Sequence, residues 1–161
     1  TVFESLSVRD CLELAMRQSR DFWSLYRAKP TAQEHQQILQ VAETIGLQDA
    51  LTRLSGDLSH GQKQWLEIGM LLMQQPKLLL VDEPAAGMTH QEIDKTAELL
   101  RSLAGRHCVV VVEHDMDFVR TLSAGGGTVT VLHQGSVLAE GAMDDIQHNA
   151  DVRRVYLGEE D

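Results

Sequence analysis

The sequence predicts an α/β protein, with a mostly helical part over residues 1–75 and a part built on short buried strands over residues 76–161. Three observations carry this prediction. Leu78-Leu79-Leu80-Val81 and Val109–Val112 are apolar runs of strand length with polar or proline boundaries, the pattern of parallel strands buried on both faces. Elsewhere, apolar residues recur at helical spacing, several times behind an S/T-x-x-E/Q start. Finally, Val129–Leu132 and Val137–Ala139 flank His133-Gln134-Gly135-Ser136 and read as a hairpin.

Taken in order, Val8, Cys11, Leu12 and Ala15 mark one helical face, and Ile38, Val41, Ala42 and Ile45 a second. Between them lie Phe22, Trp23, Leu25 and Tyr26, which suit either the core of a small helical bundle or a docking surface. Residues 27–31 break the pattern, and Thr31 with Glu34 has capping-box spacing for the second helix, which ends at Gly46-Leu47. A third helix is expected from Ser59, through Trp65, Ile68, Leu72 and Met73. After the first apolar run, Thr89 and Glu92 repeat the capping-box spacing. Ile93, Ala97, Leu100 and Ala104 supply the apolar face of this helix, and Gly105 its stop. Met116 to Leu122 reads as a short helix broken by Gly125-Gly126-Gly127, and Gly141 onward as a helix with a polar tail.

Composition narrows the function. Hydrophobic residues make up 43% of the 161, enough for a core, while 4% aromatics leave the packing to aliphatic side chains. A formal net charge of −10 argues against nucleic-acid binding through a basic surface. No apolar run approaches the roughly 18 residues of a membrane span. Cys11 and Cys108, far apart in sequence, suit reduced thiols of a cytosolic protein. The histidines outside the motifs below show no metal-ligand spacing.

Two places carry chemistry. Asp82 and Glu83 emerge where the first apolar strand ends, the edge at which open α/β sheets bind ligands. In nucleotide-hydrolysing folds an Asp there holds Mg²⁺, and a neighbouring acid polarises the attacking water. The bland alternative is a strand-end Asp that caps a turn beside a solvated Glu. The second place is Leu58-Ser59-His60-Gly61-Gln62. Ser59 and Gln62 have capping-box spacing, Gly61 keeps the first turn open, and the bare N–H groups of a helix start favour an anion. No G-x-x-x-x-G-K-[ST] phosphate loop occurs in the sequence.

Together these residues resemble the signature motif and Walker B segment of ATP-binding-cassette (ABC) ATPases. Ala86-Gly87-Met88-Thr89 resembles the family's D-loop, and Val109–Val112 with Glu113-His114-Asp115 its switch-histidine strand. Within the family, residues 58–89 and 109–119 are most similar to the urea and branched-chain amino acid importer group, above all to its urea members. The resemblance covers nearly the whole chain, including Val155-Tyr156-Leu157-Gly158 at the C-terminus. The triple glycine at 125–127 departs from the family's usual bulkier segment.

The resemblance implies a partial P-loop NTPase (RecA-like) core with a helical signature subdomain and without the central phosphate-loop strand. The chain then corresponds to the C-terminal portion of a longer ATPase, cut just after the glutamine loop. Its nucleotide is ATP and its metal Mg²⁺, anchored by Asp82. Glu83 is implied as the general base and His114 as the group that orients the attacking water. Ser59, His60, Gly61 and Gln62 reach the γ-phosphate held by a second subunit, and Met88 and Thr89 belong to the loop that communicates between sites. His60 departs from the commoner glycine and is accommodated if it points away from the phosphate.

Implied partners are a second ATPase subunit arranged head to tail, transmembrane permease subunits that contact the helical part, and indirectly a periplasmic or extracellular substrate-binding protein. This puts the protein in the cytoplasm, on the inner face of the membrane through the permease. The chain by itself is expected to be inactive. Absence of the central strand exposes an edge at Val109–Val112, closed either by the hairpin or, the favoured expectation, by a second copy. Two other readings stand beside this one. One is a non-catalytic docking module; the other is an ATPase of the DNA-repair or chromosome-organising class, whose long coiled coils have no counterpart in these heptad-free residues.

Overall fold

The computed structural model describes residues 3–16 and 31–157, so the aromatic cluster at 22–26 and the break at 27–30 lie outside the described residues. Two compact units emerge, Thr1–Val112 and Glu113–Asp161. The boundary expected at 75/76 marks a change from helices to strands within the first of them.

The first unit opens with helix α1 (Val8–Ala15), capped by Ser7, whose Oγ accepts the Asp10 N–H at 3.1 Å. Helix α2 (Ala32–Thr44) starts at the expected box: Thr31 N–H donates to Glu34 Oε2 at 2.6 Å and Glu34 N–H to Thr31 Oγ1 at 3.3 Å. It ends as the sequence indicates, because Gly46 takes a left-handed φ of +68°. Two single 3₁₀ turns, Gln48–Ala50 and Ser55–Asp57, lead to α3 (His60–Leu72). All four apolar residues expected on this helix run, Trp65, Ile68, Leu72 and Met73, are buried.

Gly69 sets how closely the three helices approach. A Cβ at that position would lie 2.6 Å from Ile45 Cδ1 and 3.2 Å from Leu12 Cδ2. The absent methyl lets α1 and the end of α2 press onto α3, burying Val8, Cys11, Leu12, Ile38, Ala42 and Leu66 completely.

Strand β1 (Leu78–Asp82), helix α4 (His90–Leu103) and strand β2 (Cys108–Val112) form a parallel crossover, with Leu78 opposite Cys108 and Asp82 opposite Val112. The expectation that both strands are buried on both faces fails. Leu79 and Val81 are inside at 2% and 7% exposure, but Leu80 and Val112 stand 68% and 60% exposed on the opposite face. Successive side chains alternate between faces, and among the described residues one face of the pair is buried while Leu80, Val110 and Val112 stand exposed on the other.

The apolar face of α4 also differs from the expected one. Thr96, Ala97, Leu99, Leu100 and Leu103 are buried, whereas Ala104 lies exposed beyond the last helical turn. A polar residue, Thr96, enters the core because its hydroxyl accepts the Trp65 indole N–H at 2.8 Å.

The second unit starts with α5 (Met116–Ser123), capped by Asp115, whose Oδ1 accepts the N–H groups of Asp117 and Phe118 at 2.9 and 3.1 Å. Strands β3 (Val129–His133) and β4 (Ser136–Gly141) form the expected antiparallel hairpin, with an irregularity between Val131 and Leu132. Gln134 and Gly135 both have positive φ, +47° and +78°, which suits a tight two-residue hairpin turn. Among the described residues the strands form two separate pairs, β1 with β2 in the first unit and β3 with β4 in the second.

The final helix expected from Gly141 is divided into α6 (Met143–His148), α7 (Ala150–Val152) and a π turn at Arg153–Leu157. Asn149 causes the division: its side-chain oxygen caps the N–H groups of Asp151 and Val152 at 2.9 and 3.1 Å. Among the described residues of this unit, Phe118, Met143, Ile146 and Val152 are the buried apolar side chains.

Candidate functional site

In the first unit, one cluster forms where the N-termini of α3 and α4 meet. Ser59 is the N-cap of α3: its Oγ accepts the Gln62 N–H at 3.2 Å, and Ser59 N–H donates to Gln62 Oε1 at 3.1 Å. The reciprocal box sets the helix start and directs the serine hydroxyl. That hydroxyl donates its single proton to Glu92 Oε1 at 2.8 Å. The other carboxylate oxygen, Oε2, accepts Thr89 N–H at 3.1 Å and Thr89 Oγ1–H at 2.9 Å, so Glu92 caps its own helix α4 as well. The Ser59 hydroxyl first, then the Thr89 groups and the Gly61 backbone N–H, hold the Glu92 carboxyl below its ordinary value.

Gly61 faces this carboxylate directly. A Cβ there would lie 2.7 Å from both Cδ and Oε1 of Glu92, so the open first turn expected from the glycine is filled by a neighbouring side chain. His60 Nε2 lies 3.1 Å from the Ala86 carbonyl oxygen, which turns the imidazole toward residues 86–87. A Cβ on Gly87, whose φ is +70°, would come 3.6 Å from that same nitrogen. Met88 is half-buried, with its sulfur 3.3 Å from the Thr96 hydroxyl. Ser59 and His60 thus lie against residues 86–89, an arrangement within one chain that the sequence reading did not include. Glu92, taken from the sequence only as a cap, is the residue that joins them. Its signal was the Thr89-x-x-Glu92 spacing, which reveals the cap but not the second helix that the carboxylate reaches.

Asp82 and Glu83 leave β1 at its C-terminal end, both exposed. The Glu83 N–H continues the parallel pairing by donating to the Val112 carbonyl at 2.9 Å. Glu83 then adopts a left-handed φ of +45° immediately before Pro84, and its carbonyl accepts the Ala86 N–H at 3.2 Å. Such a conformation is unfavourable for a side chain with a Cβ, and it turns the chain sharply at the second carboxylate. Among the described residues, no cluster of three or more His, Cys, Asp or Glu side chains forms a metal cage. A lone exposed carboxylate fits Mg²⁺, which keeps waters and takes substrate phosphate oxygens beside one or two carboxylates.

His114 belongs to the second unit and is largely exposed, with its Nδ1 3.6 Å from Glu113 Oε2. The Glu113 side chain is buried and folds back onto the following backbone, accepting His114 N–H at 2.9 Å and Asp115 N–H at 3.3 Å. That turn presents the imidazole outward. Among the described residues no helix is long and apolar enough to cross a membrane.

The ABC transporter family matches residues 1–86, and the branched-chain amino acid ATP-binding cassette transporter family matches residues 136–161. The high-affinity branched-chain amino acid transport ATP-binding protein BraF of Pseudomonas aeruginosa is 39% identical over 119 residues, 73% of this chain and 46% of the relative. LivG of Salmonella typhimurium, described in the same terms, is 38% identical over the same shares. The chain therefore spans about half the length of these curated relatives. Among solved structures, the ADP conformation of MJ1267, an ATP-binding cassette of an ABC transporter, matches with a TM-score of 0.75 at 24% identity, over 97% of this chain and 64% of that one. That likeness bears on the fold, and the fold agrees with the α/β nucleotide-hydrolase core expected from the sequence. Because the family match covers just over half of the residues and BraF and LivG are 39% and 38% identical over 73% of the chain, this chain belongs to the ATP-binding subunits of ABC transporters, among homologues of the branched-chain amino acid importers.

Proposed function

We propose that this chain is the signature-bearing portion of the ATPase subunit of an importer for branched-chain amino acids or urea. The observation that carries the reading is the Asp82–Glu83 pair at the C-terminal end of a parallel strand, with a sharp left-handed turn at Glu83. Glu83 acts as general base toward water, and the turn holds its side chain clear of the sheet. Asp82 holds Mg²⁺, which supplies charge neutralisation at phosphate oxygens. His114 orients the attacking water. Ser59, Gly61 and Gln62 meet the γ-phosphate of ATP bound by a second, head-to-tail subunit. His60, Met88 and Thr89 tie that contact to the loop between sites. Permease subunits complete the assembly on the cytoplasmic face of the membrane, with a substrate-binding protein on the other side. Urea rather than an amino acid as cargo rests on the likeness of residues 58–89 and 109–119 alone.

The test uses the full-length ATPase that carries this chain. Glu83→Gln should keep ATP binding, trap a nucleotide-bound dimer and slow hydrolysis by roughly 100-fold or more, the scale of a lost general base. Unchanged turnover would remove Glu83 from the mechanism. The 161-residue chain by itself holds none of the phosphate-loop amides or lysine, so it should neither hydrolyse ATP nor bind it tightly. Micromolar affinity for Mg-ATP in a calorimetric titration would contradict that.

A further inference from the structure

The first turn of α3 already faces an anion, and that anion belongs to the protein itself. Ser59 has one hydroxyl proton, and at 2.8 Å it is given to Glu92 Oε1. The open side of Gly61, where a methyl group would be 2.7 Å from the Glu92 carboxyl, is filled by the same group. A phosphate oxygen and this carboxylate oxygen are both anionic acceptors that need the same donor, and like charges cannot share it without a large penalty.

We infer that Glu92 is an autoinhibitory contact, a carboxylate from α4 that reserves the Ser59 hydroxyl and the face of Gly61 until a phosphate group displaces it. The inference rests on the reading of the α3 start as a phosphate contact. The release has a defined route. Glu92 is held to its own helix through Oε2, by the N–H and hydroxyl of Thr89, and to α3 through Oε1. When a phosphate takes the Ser59 proton, the Oε1 bond breaks and the carboxylate turns within its own helix start. The change is then felt at Thr89, the first residue before α4. His60 does not compete for the Ser59 proton: its Nε2 lies on a different group, 3.1 Å from the Ala86 carbonyl oxygen. One side chain thereby links occupation of the α3 start to the conformation of residues 86–89.

The probe is inorganic tripolyphosphate, titrated into the ¹⁵N-labelled chain at neutral pH while the Gly61, Gln62 and Thr89 amides are followed by NMR. Glu92→Gln should tighten the midpoint at Gly61 by about tenfold or more, as expected when a like charge leaves the side of a bound anion. Glu98→Gln removes the same unit of charge elsewhere on α4 and should leave the midpoint within about twofold, as for a solvent-exposed and screened group. In the wild-type chain, the Thr89 amide should shift with the same midpoint as Gly61. Equal midpoints for wild type and Glu92→Gln, or an equal gain from Glu98→Gln, would overturn the inference. So would a wild-type response at Gly61 without one at Thr89, a measurement that does not depend on any variant folding. If neither wild type nor Glu92→Gln shows a response at Gly61, the carboxylate is not what keeps phosphate from the α3 start and the inference falls, while the contact across a head-to-tail pair is judged separately by the full-length ATPase.

Discussion

Replacing Thr96 by valine tests whether the contact between α3 and α4 is held by a buried polar pair. Thr96 is fully buried, and its Oγ1 accepts the indole N–H of Trp65 at 2.8 Å while donating to the Glu92 carbonyl at 2.7 Å. Valine has nearly the same shape, so no cavity forms. The Glu92 carbonyl still accepts its ordinary helical N–H. The Trp65 N–H, however, is left without its partner in a side chain only 8% exposed. An unsatisfied buried donor costs about 1–3 kcal/mol. Thr96→Ser keeps the hydroxyl and loses one buried methyl, worth about 0.8 kcal/mol.

The order of stability should therefore be wild type, then serine, then valine, as measured by urea unfolding followed by far-UV circular dichroism. A double-mutant cycle isolates the pair. In a Trp65→Phe background the donor is already gone, so Thr96→Val should cost much less, leaving a coupling of about 1–2 kcal/mol. A valine variant as stable as the serine variant, or additive costs in the cycle, would refute the argument and make Thr96 simply a well-packed small side chain.

Three further outcomes follow from the same structure. Leu79→Ala should cost about 2–5 kcal/mol because Leu79 is buried, whereas Leu80→Lys, one residue on but facing outward, should change stability by less than about 0.5 kcal/mol in thermal unfolding. Gly46→Ala should cost about 1 kcal/mol, since φ is +68° while the space for a methyl group is open; a neutral result in urea unfolding would show that the helix end relaxes. The Glu92 carboxyl is held below its ordinary value, so the stability it contributes is present above the unfolded-state pKa and is lost as pH falls through the lower folded-state value. Glu92→Gln should therefore flatten the acid limb of the stability–pH profile below about pH 4.5, the unperturbed carboxyl value. An unchanged acid limb would count against the Ser59 and Thr89 hydrogen bonds.

Local chemistry was legible without a structure wherever it depended on neighbours in sequence. The capping boxes at Thr31, Ser59 and Thr89, the stop at Gly46 and the turn at Gln134-Gly135 each need only residues a few places apart, and each forms as expected. The same holds for Asp82 and Glu83, placed at a strand end by the apolar run before them.

What failed depended on neighbours distant in the chain. The runs at Leu78–Val81 and Val109–Val112 signal strands correctly, but they cannot report that Leu80, Val110 and Val112 stand exposed on the outer face. The α4 face turned out to include Thr96 because an indole N–H from α3 needed an acceptor there. Likewise, Thr89-x-x-Glu92 read as a cap for one helix, while the second oxygen of that carboxylate went to Ser59, 33 residues earlier. Sequence alone determined the helix starts, the turns and the order of the motifs, since these are set by short-range sterics and backbone hydrogen bonds. Only the tertiary structure decided which faces are buried and which acceptor holds the Ser59 proton, because burial and polar pairing are settled by whatever long-range packing brings within a few ångströms.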